Sequence, residues 1–133
     1  MKATAIDHVA LQVKDVAISQ RFYETHFGMR LALVKNERQI WLQCGEQLLG
    51  LMQGGADASS SAAAGRGMDH VAIRVAPEAF DAAVNELRVS GVHVQRGPVD
   101  RPDEGSRSFY CYDPDGYLIE LITWTRSPFQ PSS

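Results

Sequence analysis

At 133 residues, 44% of them hydrophobic and 22% charged, the chain has enough apolar content to build one ordinary globular domain. A net charge of −3 leaves no basic footprint, which argues against nucleic acid as a partner. Met1-Lys2-Ala3-Thr4 leads directly into a strand pattern, and no apolar leader or long apolar run is present, so neither secretion nor a membrane span is expected and a cytoplasmic location is.

Residues 6–13 alternate as a strand, with Val9, Leu11 and Val13 on one face and His8, Ala10 and Gln12 on the other. Asp15 then caps a helix that runs to Phe27, with Val16, Phe22, Tyr23 and Phe27 on its apolar side and Gly28 as its stop. Three short strands follow at about 30–34, 39–44 and 47–52, the last two joined by a tight Gly45-Glu46 connection. The first module, residues 6–52, therefore reads βαβββ.

Residues 53–67 shift abruptly to Gly, Ala and Ser, the composition of a flexible linker. The serines at 59–61 have no histidine or glycine elbow beside them that would suggest a nucleophile.

The second module, residues 68–124, repeats the order. Residues 68–75 form a strand carrying His70, Ala72 and Arg74 on one face, and Pro77 opens a helix with Phe80, Val84 and Leu87 at helical spacing, ending at Gly91. Strands are expected at 92–95, 107–112 and 117–124, with the Pro- and charge-rich residues 97–105 as a long loop able to cover a site. Asp113-Pro114-Asp115-Gly116 has the order of a type I turn, so its carboxylates are turn formers first. Cys44 and Cys111 both fall in strands and make no disulfide framework; they read as reduced thiols. The fold class is thus α+β: two tandem βαβββ modules within a single domain spanning 1–133.

The modules are related by an internal repeat. Asp7-His8-Val9-Ala10 recurs letter for letter as Asp69-His70-Val71-Ala72, so each module places a histidine at the head of an alternating strand. Glu120 adds a third group of interest. It stands in Tyr117-Leu118-Ile119-Glu120-Leu121-Ile122, apolar at both neighbours and at both i±2 positions, where a lone carboxylate is costly to bury unless a cation meets it. The bland alternatives are an exposed edge glutamate or an ion pair with an arginine such as Arg74. Two imidazoles and one carboxylate suit Fe2+, Mn2+, Zn2+ or Co2+ and leave coordination positions for substrate oxygens. His26 and His93 have no matching partners. In module one the place equivalent to Glu120 holds Gly50, and a strand glycine often marks a close approach.

On these residues, together with Phe22-Tyr23, Phe27-Gly28-Met29 and Tyr112-Asp113-Pro114-Asp115-Gly116, the chain resembles the vicinal oxygen chelate superfamily from Ile6 to Thr123. That group includes glyoxalase I, extradiol dioxygenases, fosfomycin resistance proteins and bleomycin resistance proteins. The resemblance implies paired βαβββ modules whose sheets curl around one divalent ion, with His8, His70 and Glu120 as metal ligands. It also implies a small-molecule substrate chelated through vicinal oxygens, and a homodimer with sites shared between chains.

The branch is read from a few further positions. Tyr110 precedes Glu120 by ten residues, the spacing of a site tyrosine in extradiol dioxygenases and fosfomycin enzymes, and is the candidate acid or hydrogen-bond donor. Ser108 shares its strand face and resembles a phosphonate-binding serine of fosfomycin enzymes, but Ala10 and Glu104 stand where those enzymes have threonine and serine. Ring-cleaving members use a further histidine where this chain has Gly55, and glyoxalases a carboxylate where it has Gly50. A metal enzyme, dioxygenase-like or of unassigned type, is the first expectation, thiol or water addition to an epoxide the second, glyoxalase-type isomerisation the third, and a bleomycin resistance-like binder the non-catalytic alternative. Gln12, Trp41 and Ser108 are candidate substrate-lining residues, and Arg74, on the His70 face, is the candidate for an anionic substrate end.

Overall fold

A computed structural model describes residues 2, 5–54 and 68–129. The chain divides into two compact units, Met1–Met68 and Asp69–Ser133, each of which repeats one strand-helix-three-strand order. No helix among the described residues is long and apolar enough to cross a membrane.

In unit one the elements are β1 (His8–Val13), α1 (Val16–Phe27), β2 (Arg30–Asn36), β3 (Gln39–Cys44) and β4 (Gln47–Gln53). The sheet order is β1-β4-β3-β2, with β1 parallel to β4 and the remaining pairs antiparallel. Strand alternation sends Leu11, Val13, Ile40, Leu42, Leu49 and Leu51 to one face, where they are buried with Val16, Ser19 and Tyr23 of α1. Each large side chain buried this way contributes about 1.5–3 kcal/mol. The helix starts and stops where the sequence indicates. The Asp15 carboxylate accepts from the Ala17 and Ile18 amides at 2.9 and 3.2 Å, and Gly28 ends the helix in the left-handed region at φ 66°.

Unit two contains β5 (Val71–Arg74), a 3-10 turn at Pro77–Ala79, α2 (Phe80–Val89), β6 (Val94–Arg101), β7 (Ser106–Tyr112) and β8 (Leu118–Trp124), in sheet order β5-β8-β7-β6. Phe80, Val84 and Leu87 of α2 are buried with Ile73, Phe109, Cys111, Ile119 and Leu121 of the sheet. Asp113 is a turn former as expected: its Oδ1 accepts from the amides of Asp115 and Tyr117, both at 2.9 Å.

Two expectations are corrected. Residues 97–101 are not loop but the second half of β6, which pairs with β7 as far as Arg101–Ser106. Pro98 is tolerated because β6 is the sheet edge, and the register shift between Arg96 and Val99 absorbs the irregularity. Gln53 is not linker but the end of β4, and its side-chain oxygen accepts from the Val16 amide at 2.9 Å. The rest of the expected linker from residue 55, including Gly55 and the serines at 59–61, lies outside the described residues.

Candidate functional site

The pairing registers lay one row of residues across each sheet. In unit one the row is Ala10, Gly50, Trp41 and Leu33; in unit two it is Ala72, Glu120, Tyr110 and Arg96. Directly opposite residues point to the same face, so each row lies on the face away from its helix. The two histidines stand two residues before the alanines that begin the rows.

Glu120 is buried, at 7% exposure, and its two oxygens have different partners. Oε2 accepts from the Ser108 hydroxyl at 2.5 Å and the Tyr110 hydroxyl at 3.1 Å, while Oε1 lies 2.9 Å from Nε2 of His70. Behind the hydroxyls stands Arg101, whose Nη1 donates to Ser108 at 3.1 Å and whose Nη2 donates to Tyr110 at 2.9 Å. The bond to Tyr110 raises the Arg101 pKa above its ordinary value, partly opposed by desolvation. The Arg96 guanidinium lies over the Tyr110 ring, 4.4 Å from its centroid.

Both histidines are oriented in one way. Nδ1 of His70 lies 2.7 Å from Asp69 Oδ2, and Nδ1 of His8 lies 2.8 Å from Asp7 Oδ2. A carboxylate on Nδ1 selects the tautomer that leaves Nε2 as the outward donor atom. At 2.9 Å, His70 Nε2 and Glu120 Oε1 pair through a proton on the imidazole, and a metal cation in that proton's place would meet the same two atoms. No group of three His, Cys, Asp or Glu side chains able to hold a metal occurs among the described residues. His70 and Glu120 are brought together within unit two, and His8 belongs to unit one.

The His8 ring meets Trp41 edge-on, with centroids 4.5 Å apart. Trp41 also accounts for Gly50: a Cβ there would lie 2.4 Å from Cζ3 of the indole, so the ring fills the room a side chain at this position needs. Gln12 is exposed on β1, on the His8 face. Arg74 shares the Glu120 face through its pairing with Ile122, and its guanidinium stacks over Phe129 at 4.9 Å. His26 packs edge-on against Phe22, and His93 lies 5.1 Å from the Tyr112 ring. Arg101 was missed by sequence reasoning because it falls in the stretch read as loop. Its only signal was its place in a charged run before the Ser108–Tyr110 strand.

A family model described as the glyoxalase/bleomycin resistance protein/dioxygenase superfamily matches residues 5–121. The chain belongs to this superfamily. Over 118 residues it is 30% identical to virulence protein STM3117 of Salmonella typhimurium, covering 87% of this chain and 81% of that protein. Over 126 residues it is 29% identical to metallothiol transferase FosB of Staphylococcus epidermidis, covering 94% and 85%. The solved structure of the fosfomycin resistance protein FosX from Listeria monocytogenes aligns at a TM-score of 0.73 and 21% identity over 92% of this chain and 94% of that one, a likeness of fold.

Proposed function

We propose that this superfamily member is a divalent-metal-dependent vicinal oxygen chelate enzyme, glyoxalase- or dioxygenase-like, acting on a small substrate with two adjacent oxygens. His8, His70 and Glu120 hold one ion (Fe2+, Mn2+, Zn2+ or Co2+). The observation that carries the reading is the buried Glu120 carboxylate, one oxygen saturated by hydroxyls and the other beside an oriented imidazole. On the family resemblance, the reading places the site in a homodimer, with His8 from one subunit and His70 and Glu120 from the other.

When bound, the ion supplies Lewis-acid stabilisation of charge that develops on a substrate oxygen. The chain's own residues bind and orient. Arg74, Arg96 and Arg101 share a sheet face with Glu120, and this group of cations favours a substrate with an anionic end. Tyr110, whose hydroxyl accepts from Arg101 and lies on the Glu120 carboxylate, is the candidate hydrogen-bond donor or acid once substrate displaces that contact. Trp41, beside His8, offers an apolar wall, and Gln12 and Ser108 line the same two faces.

The test is elemental analysis of protein purified without chelator or a metal-binding tag. One ion per chain is expected, lost in Glu120→Ala, His70→Ala and His8→Ala and kept in His26→Ala and His93→Ala. Full occupancy in Glu120→Ala would remove the carboxylate from the ligand set. A metal-free protein that no divalent ion stabilises would instead be a bleomycin resistance-like binder.

A second reading, transfer of a thiol with the aid of a metal, is favoured by the match to FosB and by Ser108 and Tyr110 on Glu120. Perturbation of a Co2+-substituted site by epoxide phosphonates and not by catechols or hemithioacetals would select it.

A further inference from the structure

We infer that Arg101 is a positioning residue for the metal-binding carboxylate, holding Glu120 through Ser108 and Tyr110 so that Oε2 is saturated and Oε1 alone is presented beside His70. The inference rests on the metal reading above and adds how its carboxylate is held.

The argument is a count of protons. A guanidinium only donates, and a serine or tyrosine hydroxyl carries one proton. Arg101 donates to both hydroxyl oxygens, so neither hydroxyl can aim its proton back at Arg101. Both protons are directed to the one remaining acceptor in reach, Glu120 Oε2. The carboxylate therefore cannot turn to expose both oxygens without breaking two hydrogen bonds in a buried setting. Ser108 is fully buried and Tyr110 nearly so, which leaves little water to replace either bond. Lysine could not do this, since its point charge lacks the planar fork that spans two oxygens. β6 continues as a paired strand through Arg101, which holds the guanidinium against β7.

The experiment is calorimetric titration of Mn2+ and Co2+ into metal-free, full-length protein, with the Co2+ d–d absorption recorded alongside. Arg101→Met is expected to weaken binding about 10–100-fold and to shift the Co2+ bands as Oε2 is released. Arg101→Lys is expected to recover little of that affinity. In a Ser108→Ala/Tyr110→Phe background, Arg101→Met should add no more than about two-fold, because the groups through which it acts are gone. Thermal unfolding of the metal-free variants identifies folded protein, and Arg101→Lys carries the test if Arg101→Met does not fold. Unchanged affinity and bands in Arg101→Met, or an equal loss with and without the two hydroxyls, would overturn the inference while wild-type binding leaves the metal reading standing. Flat titrations for every variant and for wild type would overturn both.

Discussion

The two modules lay the same row across the same four strands and fill it with different chemistry. Module two has Glu120 facing Tyr110 and then Arg96; module one has Gly50 facing Trp41 and then Leu33. The histidine and its adjacent aspartate are retained in both, with Nδ1 to carboxylate distances of 2.8 and 2.7 Å. The two modules therefore share the element that orients an imidazole and differ in the element across the sheet. One half now combines an imidazole, a carboxylate and cations. The other combines an imidazole with an apolar wall, its glycine yielding space to the indole.

This division of labour is broken most severely by removing one half's contribution from each of two chains. If His8 and the His70–Glu120 pair meet across subunits, mixing His8→Ala protein with Glu120→Ala protein under subunit exchange restores one intact site per mixed dimer, while each parent binds no metal. Recovered metal content after exchange is the readout. Proven exchange without recovery would place the three ligands within one chain.

A smaller effect is expected at the Gly50 position. Gly50→Ala places a methyl carbon against the Trp41 ring at a distance real side chains do not adopt, so the ring or the strand must shift. Overpacking of this kind costs about 1–3 kcal/mol. Denaturant unfolding of Gly50→Ala should show that loss, and the same substitution made in a Trp41→Ala background should cost little further. An equal loss with and without the indole would mean that the strand backbone, and not Trp41, dictates glycine here.

Most of the fold, and the pairing of His70 with Glu120, was legible because the signals are local. The Asp15 cap, the Gly28 stop, the Asp113 turn and the alternation of Leu11 and Val13 against His8 each depend on a few adjacent residues. The Asp-His-Val-Ala repeat exposed the module symmetry, and an acid in an otherwise apolar strand exposed Glu120. What was not legible depends on register. Pro98 reads as a strand breaker unless β6 is known to be an edge, and Arg101 meets Ser108 and Tyr110 only after the shift between Arg96 and Val99 is in place. The role of Gln53 as a partner of the Val16 amide is likewise a contact between the two ends of module one.

The cysteines give the mildest version of the comparison. Cys44 ends β3 in module one beside the Gly45-Glu46 turn and is half-buried, whereas Cys111 lies inside β7 in module two and is fully buried. Burial raises both thiols, and for Cys111 burial, with a smaller push from Asp113, lifts the value from 9.0 to about 11. The thiolate is the reactive form, so a disulfide reagent at pH 8 should label Cys44 first and leave Cys111 protected in the folded protein. Between pH 9 and 11 the unfolded chain releases the Cys111 proton while the folded chain keeps it. The folded state then binds more protons, and stability must fall as pH rises across that window. The loss is on the order of 1–2 kcal/mol by the top of the window. Denaturant unfolding at pH 8, 9, 10 and 11 should show a steeper decline in wild type than in Cys111→Ala, and parallel declines would mean that other groups carry the alkaline instability.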